Sequence, residues 1–495
     1  MNFSRYLYFI FFLFLSSTGF SQISSVKYKV EAITSVSSND NLPFWLVNNR
    51  NGLIPDKRSD LLYIGFNKDY STSKKSIALD YSFGFDAATS YQYDKKALIN
   101  QYFASVKYGK MQLFVGAKNT DVIYDGLSFV NNSIVMAGNA RNYPKIEISS
   151  TDYLNVPFTK GWLAVKGKFS NGWLIDDRYC SEVMLHHKNA YLRIGKEKGF
   201  SFELGVEHYA QWGGISPMLE GVKNRRMPSN LDAFLRVLIA KEGGSYYNDM
   251  ENSLGNHVGQ NEIKFNYNTD NFDATFYMRN MFEDSSQYFL KLFYKSIRDI
   301  KDINYGLYVK IHNTKIIKSF LLEYYSTMMQ GNTGSHSAGI LVGYDSNFNN
   351  GIYGSGWSNY GRGFGIPLNS PTNISANKYI SFKNTAFRAF NVGVNGEFKN
   401  IRYKFKATYD FNYGSVHDRN EGKKAEEWMS EDRWYTIDPA QFQQHYLLEL
   451  MMPEGKLPFD ISTIFALDNG DMYDNSFGMM IKISKTGFLN KLFKR

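Results

Sequence analysis

The feature that most constrains the fold is an alternation of apolar and polar residues that recurs along the chain. In IRYKFKATYDF, residues 401–411, apolar or aromatic residues occupy the odd positions and charged or polar residues the even ones. A period of two is typical of a β-strand with one apolar face. The same pattern appears in IALDYSFGF (77–85), FSFELGVEHY (200–209), EIKFNY (262–267), NVGVNGEF (391–398) and SFGMMIKIS (476–484).

Segment length and composition indicate the setting of these strands. Many segments are about ten residues long, the length that a tilted strand needs to cross a bilayer. Aromatic residues make up 17% of the chain, although the mean hydropathy is −0.38. We therefore predict an all-β fold, a transmembrane antiparallel β-barrel of about 18 strands, with short turns at one rim and longer loops at the other. A soluble exported β-sandwich or propeller is the alternative, because these folds also alternate.

The N-terminus, MNFSRYLYFIFFLFLSSTGFSQ, predicts a secretory signal peptide over residues 1–21. Arg5 precedes an apolar run from Tyr6 to Leu15, and small residues follow. This order is typical of an export signal, with a membrane anchor as the alternative. We expect residues 22–495 to form a single barrel domain. The single cysteine, Cys180, excludes an internal disulfide.

One segment departs from the strand pattern. PSNLDAFLRVLIAKEGG carries Leu231, Phe234, Leu235 and Leu238 at helical spacing, and Ser229 or Asn230 can cap its start. We predict a short amphipathic helix over residues 229–242, inserted between strands. This helix, or loops, would plug the lumen or cover one rim. The alternative is a helix that merely packs beneath a loop.

A glycine-rich stretch, NNGIYGSGWSNYGRGFGIPLNSP (349–371), carries the candidate chemistry. It matches neither G-x-G-x-x-G, nor a P-loop, nor the G-x-S-x-G of a nucleophile elbow. It combines aromatic rings, amides, hydroxyls and Arg362, which are the groups that bind sugar rings, sugar hydroxyls and sugar carboxylates. It is therefore either a loop facing a glycan or a structural loop folded into the lumen.

Several stretches resemble motifs of the Wzi-type capsule assembly proteins, in the same order over nearly the whole chain. They are NLPFWLVNNRNGLIP (41–55), GNARNYPKIEIS (138–149), HYAQWGGISP (208–217), SLGNHVGQNEI (253–263), MFEDSSQY (281–288) and the glycine-rich stretch. The resemblance implies an outer-membrane β-barrel of about 18 strands. It also implies a lectin-like, non-enzymatic role in binding capsular polysaccharide and holding it at the cell surface. The enterobacterial members begin with a helical bundle, whereas here VKYKVEAITS (26–35) directly follows the signal and predicts a strand.

Aromatic and cationic residues in these stretches form the candidate polysaccharide-binding set. Its members are Trp357, Tyr360, Arg362, Tyr353, Asn359, Trp45, Arg50, Arg141 and Trp212. For several of these residues a structural role is the alternative to polysaccharide binding. Trp45 and Trp212 also suit an aromatic girdle, and Arg50 and Arg141 also suit pairing with Glu283 or Asp284 inside the lumen.

Charge and location indicate the partners. A formal net charge of +9 favours acidic polymers, either an acidic capsule or the phosphates of lipopolysaccharide. We expect a monomeric barrel in the outer membrane of a Gram-negative bacterium, in contact with its lipids and with no nucleic acid. A diffusion channel for small solutes or oligosaccharides is the alternative function.

The sequence predicts no catalytic residue, no metal site and no cofactor. A hydrolase is the remaining function class, because His336 stands between two serines in SHSAG and His186 adjoins His187. Neighbours along a strand point to opposite faces, which opposes a catalytic arrangement at either place.

Overall fold

The computed structural model describes residues 25–71, 78–91, 97–131, 133–241, 254–283, 302–328, 330, 334–336, 339–341, 346–369, 372–417, 434–455 and 457–492. The predicted signal peptide lies outside these residues, as does position 242 at the end of the predicted helical segment.

Eighteen antiparallel strands close into one barrel, and a two-residue strand, Leu154–Asn155, pairs with the strand that follows it in the same sheet. The last strand pairs with the first, with Lys27 opposite Phe488 and Ser37 opposite Gly478, so the sheet is a barrel. The prediction of an antiparallel β-barrel of about 18 strands is therefore confirmed. The strands are β1 (Lys27–Ser37), β2 (Asp60–Lys68), β3 (Leu79–Tyr91), β4 (Ala97–Tyr108), β5 (Met111–Ala117), β6 (Lys145–Ser150), β7 (Leu163–Trp173), β8 (Met184–Gly195), β9 (Gly199–Trp212), β10 (Asn256–Asn268), β11 (Phe272–Glu283), β12 (Ile303–Ile311), β13 (Ser319–Ser326), β14 (Ala386–Phe398), β15 (Ile401–Gly414), β16 (Gln441–Met452), β17 (Asp460–Gly470) and β18 (Ser476–Phe488).

The two rims of the barrel differ. At one rim, turns of a few residues join β4 to β5, β8 to β9, β10 to β11 and β14 to β15, and the start of β1 and the end of β18 lie there. We call it the short-turn rim. At the opposite, long-loop rim lie the connections 38–59, 118–144, 213–255 and 327–385. This asymmetry matches the one predicted from the spacing of the segments.

The alternation gives the wall two different faces. In β15 the even residues 406, 408, 410 and 412 are buried and face the lumen. The odd positions carry aromatic side chains outward, and other strands do likewise. Large apolar side chains exposed on the outer wall include Leu62, Ile64, Phe200, Phe265, Leu322, Phe390, Leu448 and Ile483. Such a belt around a closed sheet suits hydrocarbon, because no strand edge is left unpaired. Within the described residues, no helix is long and apolar enough to cross a membrane.

Three connections from the long-loop rim fold inward and fill much of the lumen. They are residues 38–59, residues 118–144 and residues 346–369, and together we call them the plug. The first contains a short helix, α1 (Phe44–Val47), which is buried. Their backbones bond to each other, as Asn51 N does to Gly138 O at 2.8 Å and Ala137 N to Phe364 O at 2.8 Å. Loops that plug the lumen were one of the predicted arrangements.

Polar side chains of the wall satisfy the irregular backbone of the plug. Glu323 on β13 accepts hydrogen bonds from Phe129 N at 3.0 Å and Ser128 Oγ at 2.9 Å. Its carboxylate also accepts from Tyr277 OH at 2.7 Å. Gln260 accepts from Ile134 N at 2.9 Å, in the same manner. The inward polar residues of the alternating pattern therefore form hydrogen bonds with the plug and do not merely line a water-filled lumen.

The predicted helix forms but does not enter the lumen. It is α2 (Leu231–Ile239), and the Asn230 side chain accepts a hydrogen bond from Ala233 N at 2.9 Å to cap its start. On β9, Gln211 points inward and donates to Gly356 O, so Ala210 and Trp212 point outward. Since α2 packs against those two residues, it lies on the outer wall near the long-loop rim. The loops plug the lumen, and the helix does not.

We predict that Glu323→Ala loosens the plug without opening the barrel. Removing the carboxylate leaves the Phe129 amide and the Tyr277 hydroxyl buried without an acceptor, at a cost of about 3 kcal/mol in local stability. Hydrogen exchange of the amides between residues 127 and 137 should then accelerate, while the β-strand amides stay protected. Glu323→Gln, which keeps an acceptor oxygen, should show a smaller effect. Equal exchange in all three proteins would contradict this role of Glu323.

Candidate functional site

The centre of the glycine-rich stretch belongs to the core of the plug. Trp357 is 0% exposed, and its indole Nε1 donates to Val135 O at 2.6 Å. The indole packs against Tyr209 and Phe364, with ring centroids 5.5 and 5.4 Å away. Its ring has no free face, so a sugar cannot stack on Trp357 in this conformation. This part of the stretch is therefore a structural loop folded into the lumen, the second of the two predicted alternatives.

Two glycines of the stretch are required by close packing. Gly354 has a φ of +64°, and a Cβ there would lie 2.0 Å from the Tyr179 ring. Gly356 has a φ of +57°, and a Cβ there would lie 2.4 Å from Phe348 O. Both therefore serve the left-handed backbone and the tight packing of the plug, not the approach of a ligand.

Four more predicted site residues are held by packing. Tyr353 is buried in the apolar core, and the Asn359 amide donates to Arg141 O at 2.8 Å. Trp45 in α1 donates to Thr408 Oγ1 at 3.2 Å inside the lumen. Trp212 lies beneath α2 on the outer wall, where its indole donates to Asn171 Oδ1 at 3.0 Å. In this conformation none of the four presents a free ring or amide to a ligand.

Arg50 lies in the plug, where its described contacts do not include the predicted partner Glu283. Its guanidinium donates to Trp45 O at 3.2 Å and interacts electrostatically with Glu449 and Glu31 of the wall. Burial lowers the pKa of Arg50, and those two carboxylates oppose the change. Glu283 instead accepts a hydrogen bond from Phe348 N at 2.9 Å, and Asp284 lies outside the described residues.

The remaining three predicted residues meet at the surface of the plug. The guanidinium carbon of Arg141 lies 3.4 Å from the centroid of the Tyr360 ring, so the two planes stack. Tyr360 is 39% exposed, which leaves part of its ring open to solvent. Arg362 donates to Ile54 O at 3.0 Å and pairs with Asp56 at 2.8 Å. We call Arg141, Tyr360 and Arg362 the rim site.

The electrostatics of the rim site favour an acidic or hydroxyl-rich ligand. Burial lowers the pKa of Arg141, and the neighbouring Tyr360 and Asp176 oppose this change. Burial raises the pKa of Tyr360 above its ordinary value. The site presents a guanidinium, which stays protonated in proteins, beside a phenol that burial keeps neutral. A guanidinium can pair with a carboxylate, and a phenol can stack on a sugar ring and bond its hydroxyls.

The structure adds residues that the sequence did not single out. Asp176 accepts from Tyr360 N at 2.9 Å and pairs with the buried Arg178 at 3.2 Å, so it fixes the turn that carries Tyr360. Next to it, the rings of Tyr179 and Tyr379 meet edge to face at 5.4 Å. The only sequence signal was the polar run DDRY, residues 176–179, placed just after β7. Nothing in the sequence indicated that this run meets residue 360.

Metal chemistry has no visible support at these positions. Among the residues that the structure describes, no group of three or more His, Cys, Asp or Glu side chains is arranged to hold a metal ion. His187 faces the lumen, where its Nε2 lies 3.1 Å from Glu207, whereas its neighbour His186 packs on the outer side against Phe234 of α2. The two therefore lie on opposite faces of the wall, as the strand geometry predicts.

The chain is similar to several proteins of known structure. Wzi, an outer membrane protein involved in group 1 capsule assembly in Escherichia coli and a carbohydrate-binding β-barrel, aligns over 94% of this chain and 85% of its own, with 13% identity and a TM-score of 0.56. OccAB4 of Acinetobacter baumannii has 11% identity and a TM-score of 0.44, over 95% of this chain and all of its own. OprD of Pseudomonas aeruginosa has 8% identity and a TM-score of 0.45, over 94% of each chain.

These likenesses concern architecture. No protein-family model matches the sequence, and no curated protein matches it. At 13% identity the alignment with Wzi shows a shared fold. Membership of the Wzi-type family therefore stays a prediction from the motifs.

We predict that Cys180, which is buried two residues after Arg178, is almost unreactive in the folded protein. Burial raises the pKa of its thiol from 9.0 to about 12, although Arg178 opposes the change. At pH 8 the thiolate fraction should fall on the order of a thousandfold relative to an unperturbed thiol, and only the thiolate reacts. Maleimide labelling should therefore be slow in folded protein and fast in denaturant. Rapid labelling of the folded barrel would contradict this burial.

Proposed function

We propose that this chain is an outer-membrane barrel that binds an acidic surface polysaccharide at the rim site and helps attach it to the cell. The observation that carries the proposal is the stacked Arg141–Tyr360 pair, which leaves part of an aromatic ring open to solvent beside a cation. Long loops of such barrels face the cell exterior, so the rim site would face the capsule. In this proposal the barrel acts as a monomer and binds the glycan without altering it.

Three further observations support the proposal. The net charge of +9 favours acidic polymers. Wzi, whose fold this chain shares, is a carbohydrate-binding barrel involved in capsule assembly. The ordered motifs that resemble the Wzi-type family point in the same direction. The inference rests on the rim site, because likeness of fold alone does not carry function.

We predict that Tyr360→Ala and Arg141→Gln each weaken glycan binding at least about fivefold, since each removes a contact worth about 1 kcal/mol. The measurement is a titration of the detergent-solubilised barrel with purified surface polysaccharide of the bacterium that makes it, at low salt. Tyr267→Ala removes an exposed tyrosine near the short-turn rim, and Arg226→Gln removes an exposed arginine. Both serve as matched controls and should bind normally.

A chemically modified ligand separates the two contacts. Arg362→Gln, which removes the other cation of the rim site, should likewise weaken binding of the native polysaccharide. With carboxyl-reduced polysaccharide, the effects of Arg141→Gln and Arg362→Gln should disappear, while that of Tyr360→Ala should persist. Normal binding by all three variants would move the site elsewhere. No binding by the unmodified protein at low salt, where charge attraction is strongest, would overturn the polysaccharide proposal.

The channel alternative makes a separate prediction about conductance. Trp45 and Trp357 are buried where the plug fills the lumen, so we expect a single-channel conductance well below that of an open barrel of this strand number. Replacing residues 350–366 by a short Gly-Ser linker should raise the conductance severalfold in planar bilayers. A large conductance in the unmodified protein would instead favour the diffusion channel.

A further inference from the structure

Helix α2 covers a polar part of the outer wall. Below it, in the direction of the short-turn rim, the outward side chains of β9 are apolar and include Phe200 and Leu204. Closer to the long-loop rim several outward positions of β7 to β10 carry polar side chains, beside the apolar Ala210 and Trp212. The polar residues are Asn171, His186, Lys188, His208 and His257.

Contacts with α2 and its flanking residues cover this polar group and bond two of its members, Lys188 and His257. Lys188 Nζ donates to Leu238 O at the end of α2, and the His186 ring meets Phe234 edge to face with centroids 5.6 Å apart. His208 Nε2 and His257 Nδ1 lie 2.8 Å apart, and His257 Nε2 lies 2.9 Å from Leu254 O. The wall at this height is therefore built to carry a helix, whereas bare strands with these side chains would be costly in lipid.

The opposite face of α2 is apolar and uncovered. Leu231, Leu235 and Ile239 follow each other at intervals of four residues and are 73%, 50% and 67% exposed. Ala233 and Val237, on the inner face, are buried against the wall. Asp232 and Arg236 lie between these faces and pair with each other at 2.8 Å. A helix that is apolar toward the wall and again on its far side needs a second apolar environment.

A basic stretch leads into α2. Lys223, Arg225 and Arg226 are exposed on the loop of the long-loop rim that precedes the helix. Arg226 pairs with Glu182 at 2.8 Å. Within the part of the chain that the structure describes, Lys223 and Arg225 form no ion pair. Cations that shortly precede a helix with an exposed apolar stripe suit a helix that lies in a membrane interface, where anionic headgroups attract them.

We propose that α2 lies in the outer leaflet of the membrane, with Leu231, Leu235 and Ile239 among the acyl chains and Lys223 and Arg225 on the phosphates of anionic lipids. Lipid is the expected neighbour of this face because the exposed apolar side chains of α2 continue the apolar belt of Phe200 and Leu204 toward the long-loop rim. The positive charges of Lys223 and Arg225 favour lipids with a net negative phosphate headgroup. The proposal does not depend on glycan binding.

The test uses the full mature barrel with an environment-sensitive fluorophore on Leu235→Cys, reconstituted in phosphatidylcholine vesicles. Native Cys180 is buried, so the new thiol can be labelled selectively. Brominated phosphatidylcholine and brominated phosphatidylglycerol are compared at equal mole fraction and low salt. Leu322→Cys, outward on β13, is the control for a label in contact with lipid at the apolar belt. Lys196→Cys, on a turn of the short-turn rim, is the control for a label in water.

We expect brominated lipid to quench the labels on Leu235→Cys and Leu322→Cys but not the label on Lys196→Cys. Brominated phosphatidylglycerol should quench the Leu235→Cys label more strongly than brominated phosphatidylcholine does. Adding Lys223→Gln and Arg225→Gln should remove that preference. Each cation in contact with the membrane surface should contribute about fivefold to it. The label on Leu322→Cys should show no comparable preference.

Two results would overturn the proposal. The first is a Leu235→Cys label that iodide quenches and brominated lipid does not, in a barrel that still shows the heat-modifiable mobility of a folded protein. The second is lipid quenching without any preference for phosphatidylglycerol, which would refute the role given to Lys223 and Arg225. If Leu235→Cys fails to fold, Ile239→Cys, which lies on the same face, replaces it.

Discussion

The whole arrangement depends on how the barrel wall satisfies the backbone of the plug. Irregular chain inside a barrel cannot use sheet hydrogen bonds, and each unpaired amide there is costly. Glu323, Gln260, Glu283 and Asp468 of the wall accept bonds from plug amides, and Gln211 donates to a plug carbonyl. The plug is therefore fixed to the wall by the same inward polar residues that make the strands alternate. The position of the rim site follows from that attachment.

The rim site is precise because its supports are buried. Asp176, held against the buried Arg178, accepts the amide of Tyr360. Asn359 donates to the backbone carbonyl of Arg141, and Arg362 bridges to Ile54 O, so residues from three separate connections meet at one place. A site supported in this way is held in place before any ligand arrives, which lowers the entropic cost of binding. The aromatic residues that do not contact solvent contribute by building this support.

The barrel and the plug place chemistry on opposite sides of one wall. Inside, polar residues hold the plug and thus the rim site. Outside, on β7 to β10, apolar packing on Ala210 and Trp212 and a second polar group together hold α2. Both devices lie toward the long-loop rim. Inside, the regular alternation supplies the polar residues that hold the plug. Outside, polar residues at positions that are apolar elsewhere on the wall mark the place where it carries a helix.

The sequence by itself determined the closed sheet, its approximate strand number and the faces of its strands, because a period of two fixes which side chains share a face. It also identified the residues of the rim site, Arg141, Tyr360 and Arg362, among nine candidates. Only the tertiary structure decided that Trp357, Tyr353 and Trp45 are buried, that Trp212 lies under α2, and that Asp176 supports Tyr360. The physical reason is that alternation is a local property, whereas burial in the plug depends on contacts between connections more than a hundred residues apart in sequence, such as Asn359 with Arg141. Likewise, helical spacing predicted α2, but only the outward direction of Ala210 and Trp212 placed it on the outer wall.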